Sequence, residues 1–183
     1  MRIISGKFRA KQIVAPANLP VRPTTDFAKT GLFNILAHKI DFEKVKLLDL
    51  CAGTGCISYE FASRGCENIL AVDADTKCVK FIRDTFDKLN AIGCEVLRAD
   101  AFQFLKNCNE KFDVIFADPP YDLKGTERIP QLVFENSLLN PGGLLIVEHS
   151  SANTLEGNYG KMETRKYGHV AFTFYQSEIE IEK

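Results

Sequence analysis

Val45-Lys46-Leu47-Leu48-Asp49-Leu50-Cys51-Ala52-Gly53-Thr54-Gly55 reads as an apolar strand running into a turn with two glycines, and residues 57–64 behind it have the pattern of a helix. A strand, a glycine turn and a helix in that order make a binding corner. Glycine lets the backbone approach a ligand closely, and the helix start supplies unpaired N–H groups. Ser58 stands where the dinucleotide fingerprint G-x-G-x-x-G has its third glycine, which argues against a nicotinamide dinucleotide. Asp73 closes the apolar run Ile69-Leu70-Ala71-Val72 eighteen residues after Gly55, a spacing at which a carboxylate can reach ribose hydroxyls.

Further along, Asp100 ends Val96-Leu97-Arg98-Ala99, and Asp118 ends the apolar run 112–117. Four successive strand ends therefore carry Asp49, Asp73, Asp100 and Asp118. One such acid is ordinarily the cap of the next helix. In an open parallel sheet, however, ligands bind outside the carboxyl ends of the strands, so four acids there converge on one crevice. Asp118 continues into Pro119-Pro120-Tyr121. Proline has a fixed φ and no N–H, so the pair ends the strand sharply and leaves carbonyl oxygens free to accept. Tyr121 offers a ring face on which an extruded, planar base could stack. The bland alternative for these four residues alone is a turn with a half-buried tyrosine.

The rest of the chain alternates strands and helices as far as Glu148. Helices are expected over 26–38, over 76–91 with Thr76 as cap, and over 125–139, with Pro141-Gly142-Gly143 as the break before the fifth strand. Residues 161–167 and 169–179 alternate as a closing antiparallel hairpin, and residues 2–5 and 8–14 read as an N-terminal β-hairpin turning at Gly6-Lys7. The expected fold is α/β: a doubly wound sheet, mostly parallel, with an antiparallel C-terminal hairpin and an N-terminal hairpin extension. A chain of 183 residues with 45% hydrophobic content suits one domain. Residues 1–25 form the extension and 26–183 the core.

The net charge of -1 hides an uneven distribution. Residues 1–30 carry six basic side chains against Asp26, a net +5, while the remainder carries -6 from 17 bases and 23 acids. Arg2, Lys7, Arg9, Lys11 and Arg22 could neutralise phosphates, although charged edge strands often serve only solubility. The six cysteines have no C-x-x-C spacing and the three histidines are scattered, so no metal site is indicated. His149, just past the fifth strand, reads as a satisfied structural histidine. With no run long enough for a bilayer and with free thiols, the protein is expected in the cytoplasm.

These residues resemble the class I, S-adenosylmethionine-dependent methyltransferases, with the D-x-x-x-G-x-G cofactor loop at Asp49–Gly55 and the D-P-P-Y signature of exocyclic-amine methylation at Asp118–Tyr121. Arg22-Pro23-Thr24-Thr25-Asp26, Leu32-Phe33-Asn34-Ile35-Leu36, Arg64-Gly65, Asn90 and Phe174-Tyr175 narrow the resemblance to the RsmD type, the bacterial 16S ribosomal RNA guanine-N2 methyltransferases. It spans residues 1–176. One departure stands out: the family continues past its Arg-Pro-Thr segment with a basic Asp-Arg-x-Arg-Glu run, where this chain has Asp26-Phe27-Ala28-Lys29-Thr30.

The resemblance implies S-adenosylmethionine as cofactor. Asp49 and Gly53-Thr54-Gly55 would face its methionine part, Asp73 its ribose, and Asp100, Ala101 and Phe102 its adenine. Asp118 and the Pro119 carbonyl would accept the amine hydrogens, and Tyr121 would clamp the base. The implied partner is ribosomal RNA within an assembled or assembling small subunit, met by a monomer. Three rivals stay open at this point: a DNA adenine or cytosine N-methyltransferase, which would need an added module to read a groove, a binding protein that kept the fold without the chemistry, and a small-molecule methyltransferase, which substrate binding without salt dependence would favour.

Overall fold

The computed structural model describes residues 1–17, 19, 21, 24–120, 125–155 and 159–178. Arg22, Pro23 and Tyr121 lie outside the described residues. Seven strands form one sheet in the order β3-β2-β1-β4-β5-β7-β6. In chain order these are β1 (Leu47–Leu50), β2 (Ile69–Asp73), β3 (Cys94–Arg98), β4 (Phe112–Ala117), β5 (Leu139–Ser150), β6 (Lys161–Tyr167) and β7 (Val170–Gln176). The first five pair in parallel, and β7 enters antiparallel between β5 and β6. The expected doubly wound sheet with an antiparallel C-terminal hairpin is therefore the observed one.

The central strands have no solvent-facing side. All four residues of β1 and five of six in β4 are buried, the continuous apolar reading of a strand covered by helices on both faces. One face packs on α1 (Asp26–Leu36), α2 (Cys56–Ser63) and α3 (Thr76–Leu89) through Leu32, Tyr59, Phe86 and their neighbours. The other packs on α4 (Ala101–Asn107) and α5 (Arg128–Glu135) through Leu105, Ile129 and Val133.

Four expectations are corrected. The N-terminal segment folds back antiparallel as expected, but its paired stretch is short, an Arg2–Gln12 bridge flanked by bonds from the Ile3 N–H to the Lys11 carbonyl (3.1 Å) and from the Ile13 N–H to the Met1 carbonyl (2.9 Å), because left-handed φ at Gly6 and at Ala10 (+67°) curls residues 5–10 into a broad turn. That turn is docked on the end of α2: the Lys7 N–H donates to the Ser63 carbonyl (2.7 Å) and the Phe8 N–H to Ser63 Oγ (2.9 Å). A Cβ at Gly6 would lie 1.9 Å from that carbonyl, so only glycine fits. The cap of α3 is Asp75, whose carboxylate accepts from the Lys77 and Cys78 N–H groups, and Thr76 is the first helical residue. The fifth helix spans only Arg128–Glu135. Finally, Pro141-Gly142-Gly143 does not break the chain ahead of β5 but is carried inside it as an irregularity, where the pairing with β4 shifts register between Phe112 and Val114.

Candidate active site

The strand order reverses between β1 and β4, the position in such a sheet where a crevice opens outside the carboxyl ends. The glycine turn lies on the β1 side. Gly53 and Gly55 have φ of +56° and +76°, conformations that glycine adopts without strain. A Cβ at Gly55 would press on the Tyr59 ring at 2.8 Å. The following helix α2 starts at Gly55 with no side-chain cap, and of its opening N–H groups that of Ser58 is taken up by Asp49.

Two carboxylates hold this turn. Asp73, at the end of β2, accepts from the Gly53 N–H (2.8 Å) and from the Asp75 N–H (2.8 Å), so it fastens the loop while part of the side chain remains exposed. Asp49 is buried beneath the turn and accepts from both Ser58 Oγ (2.6 Å) and the Ser58 N–H (3.1 Å). Ser58 is therefore more than a departure from a glycine fingerprint; it anchors the acid under the loop. Asp100 caps α4 by accepting from the Gln103 N–H (2.9 Å), with Ala101 buried and Phe102 half-buried behind it. Thr54 is buried.

On the β4 side, Asp118 follows Ala117, and Pro119 and Pro120 follow Asp118. Pro119 and Pro120 line a cavity of about 510 Å³ together with Gly125, Ser150, Leu155 and Glu148. Glu148 is a site residue that the sequence reading misses. An acid inside the apolar strand β5 gives no periodic signal. Thr24 Oγ1 donates to Glu148 Oε2 at 3.0 Å, tying the segment ahead of α1 to the site. His149, expected to be structural, has both ring nitrogens engaged, with the Ser150 carbonyl (2.9 Å) and Thr173 Oγ1 (2.8 Å), and burial lowers its pKa.

The site is acidic. Burial raises the Asp118 carboxyl well above the usual carboxylate range, and the charges of Glu148 and Asp49 add to the effect. Burial likewise pushes Glu148 up to about 7 against the opposing Thr24 bond, and pushes Asp49 up to about 7 against the two Ser58 bonds. Cys51, beside these acids, is driven up by burial and stays a thiol. Among the described residues no three His, Cys, Asp or Glu side chains are arranged to hold a metal ion.

A pH effect on stability follows. The native state retains protons on Asp49 and Glu148 that an unfolded chain, with carboxyls near 3.8 and 4.5, has released. These two groups favour the fold below about pH 4, and that contribution is lost as pH rises through about 7. Wild type should therefore lose more melting temperature between pH 5 and pH 8 than Asp49→Asn, which keeps an acceptor for Ser58 but cannot ionise. Parallel melting curves in calorimetry would contradict this.

Of the basic residues expected to meet RNA, Arg2, Lys7, Arg9 and Lys11 are exposed on the docked N-terminal turn. Lys7 and Lys11 lie over the Phe8 ring at 5.1 and 5.3 Å. Arg2 also reaches Asp26 (3.6 Å). Lys29 is not part of that surface. It is 1% exposed, with Nζ 3.1 Å from Glu60 Oε1 and donating to the Arg2 carbonyl at 2.6 Å.

The sheet order 3-2-1-4-5-7-6, with its acid-ended strands and glycine turn at the switch point, is that of a Rossmann-like class I methyltransferase. Residues 1–176 match the family model described as Conserved hypothetical protein 95, and the chain belongs to that family, the RsmD-type methyltransferases. A Ribosomal RNA small subunit methyltransferase D of Buchnera aphidicola is 30% identical over 155 residues, covering 85% of this chain and 78% of the relative. The protein of the same name from Escherichia coli K12 is 29% identical, covering 98% and 91%. Among solved structures, a hypothetical protein of Thermus thermophilus superposes with TM-score 0.82 at 28% identity, covering 98% and 99%. The fold is also shared, at TM-score 0.68 and 23% identity over 85% of this chain and 44% of the other, with the T. thermophilus 16S rRNA N2 methyltransferase RsmC in complex with AdoMet and guanosine.

Proposed function

We propose that this protein methylates the exocyclic N2 amine of a guanine in 16S ribosomal RNA, using S-adenosylmethionine. The observation that carries the reading is the buried, acid-lined end of β4, where Asp118 and the Pro119 carbonyl stand across the switch point from the glycine turn. The relatives named for methylation of small-subunit RNA support the substrate class, and the N2 enzyme of the same fold supports the position. The carry-over of N2 rests on that shared fold together with the D-P-P-Y string.

The residues present suit the cofactor. Glycines at positive φ leave room for the methionine part against the backbone, the uncapped start of α2 presents N–H groups to its carboxylate, and Asp73 has exposed oxygen for ribose hydroxyls. Asp100, Ala101 and Phe102 are assigned the adenine. When bound, S-adenosylmethionine supplies an electrophilic methyl group on a positively charged sulfur.

A guanine amine is a poor nucleophile because its lone pair is delocalised into the ring. Asp118 and the Pro119 carbonyl accept its two hydrogens, which turns the lone pair toward the methyl group and stabilises the positive charge that grows on nitrogen. Tyr121, from its place in the sequence, is assigned to stack on the base. Asp118 is half-buried at the end of β4, beside the buried Pro119. Arg2, Lys7, Arg9, Lys11 and Arg22 neutralise RNA phosphates on the extension formed by residues 1–25, beside the core formed by 26–183, and the ribosomal substrate puts the reaction in the cytoplasm, on an assembled or assembling subunit.

The test is transfer of labelled methyl from S-adenosylmethionine to unmodified small ribosomal subunits, to their deproteinised RNA and to duplex DNA. Label in the ribosomal substrates and none in DNA is expected, with rates that fall steeply with added salt. Label in DNA alone, or none anywhere, would overturn the reading.

A further inference from the structure

We propose that Glu148 selects guanine, by accepting a hydrogen bond from N1–H of the base while the neighbouring Asp118 takes the N2 amine. This rests on the guanine reading above and adds to it a residue for base choice.

The sheet register sets the geometry. Ala117 of β4 is paired with Val147 of β5, so the next residue on each strand, Asp118 and Glu148, stand level on adjacent parallel strands and on the same face. Adjacent strands lie about 4.8 Å apart, near enough for two side chains level with each other to converge on neighbouring donors of one purine edge. Glu148 is 3% exposed, yet it lines the cavity bounded by Pro119 and Pro120.

A buried carboxylate is costly unless something compensates it. Among the described residues neither Asp118 nor Glu148 has a basic partner, and Thr24 is the hydroxyl that donates to Glu148. Two carboxyl groups held side by side without a cation suit a ligand that brings donors to both. Guanine does so, because N1–H and the N2 amine are adjacent donors on its Watson–Crick edge. Adenine and cytosine instead present a bare ring nitrogen beside the amine, and its lone pair would face the Glu148 carboxylate. A site built to accept from an N–H rejects the analogue that lacks it, since the buried acceptor is left unpaired.

The experiment uses a small-subunit RNA fragment in which the methylated guanosine is replaced by 2,6-diaminopurine riboside, which keeps the N2 amine but has a bare N1. Wild type should methylate guanine at least about 10²-fold better by kcat/KM. In Glu148→Gln the amide N–H₂ can donate to a bare N1, so that preference should shrink by about tenfold or more. Glu148→Asp keeps an acceptor and should retain the preference at reduced rate, with cofactor affinity and melting temperature serving as checks on folding in both variants. A preference equal in wild type and Glu148→Gln, or lost equally in both variants, would overturn the assignment. Failure of wild type to methylate guanine N2 at all would instead remove the reading on which it rests.

Discussion

Asp118→Ala is expected to lower the rate of methyl transfer by about 10²–10³-fold, the usual cost of deleting one preorganised polar group at a centre of developing charge. Cofactor affinity should hold within about twofold, because the glycine turn is fastened by Asp49 and Asp73 and not by Asp118. The effect should therefore fall on kcat. Asp118→Asn should be intermediate, since its amide carries one oxygen acceptor and turns a donor toward the amine. Acidity is part of the same expectation. Only the ionised Asp118 accepts both geometrically and electrostatically, and burial with Glu148 and Asp49 holds its pKa well above the ordinary carboxylate range. The rate should decline on the acid side at a higher pH than a solvated aspartate would impose, in steps that belong to the Asp118–Glu148 pair jointly. Full activity of Asp118→Ala with normal cofactor binding would remove the proposed mechanism.

The second large effect is on stability. Lys29→Ala should cost about 3–5 kcal/mol, the penalty for breaking a buried pair by removing one partner. Glu60 is fully buried and is shared between Lys29 (3.1 Å), Arg64 and the Ile4 N–H (2.7 Å). Lys29 also donates to the Arg2 carbonyl, and Arg64 lies over the Phe33 ring at 4.2 Å. Without Lys29, the Glu60 carboxylate is left with Arg64 and the Ile4 N–H, the Arg2 carbonyl loses its donor, and the tie of residues 1–4 to α1 falls to the exposed Arg2–Asp26 pair. For a chain of this size the change corresponds to a melting temperature lower by roughly 6–20 °C. The N-terminal turn should become the earliest site of proteolysis, and transfer to ribosomal substrates should fall with it if that turn meets RNA. A loss under about 2 °C in calorimetry would show that the pair is not what fastens the segment.

How much of this is legible in the sequence depends on whether the signal is local. β4 is readable to the residue because Phe112–Ala117 is apolar throughout and Asp118-Pro119 ends it on both backbone and side-chain grounds. The four acid-ended strands point to the crevice, since one strand end per acid needs only the parallel order. The α3 cap is misplaced by one residue because Asp75 and Thr76 are both capping types and the sequence does not say which has extended φ and ψ. Pro141-Gly142-Gly143 carries a break signal, but hydrogen bonds from neighbouring β7 and its end, such as Gln176 to the Gly142 carbonyl (3.2 Å), keep the strand together.

The misses share a physical cause. Lys29 counts as a surface charge in any sequence tally, and only the packing of α1 against α2 and the N-terminal turn reveals that it is a buried partner of Glu60. Glu148 is invisible until β5 is laid beside β4 in register, which puts it level with Asp118. Ser58 reads as a failed glycine fingerprint until its hydroxyl is found on Asp49. Long-range polar contacts of this kind leave no period in the sequence.

Nucleoside mass spectrometry of 16S RNA methylated by the purified protein tests the central claim most directly. The account predicts N2-methylguanosine as the product, formed by wild type and missing with Asp118→Ala. A methylated adenine, cytosine or ribose, or a guanine modified at another atom, would contradict it.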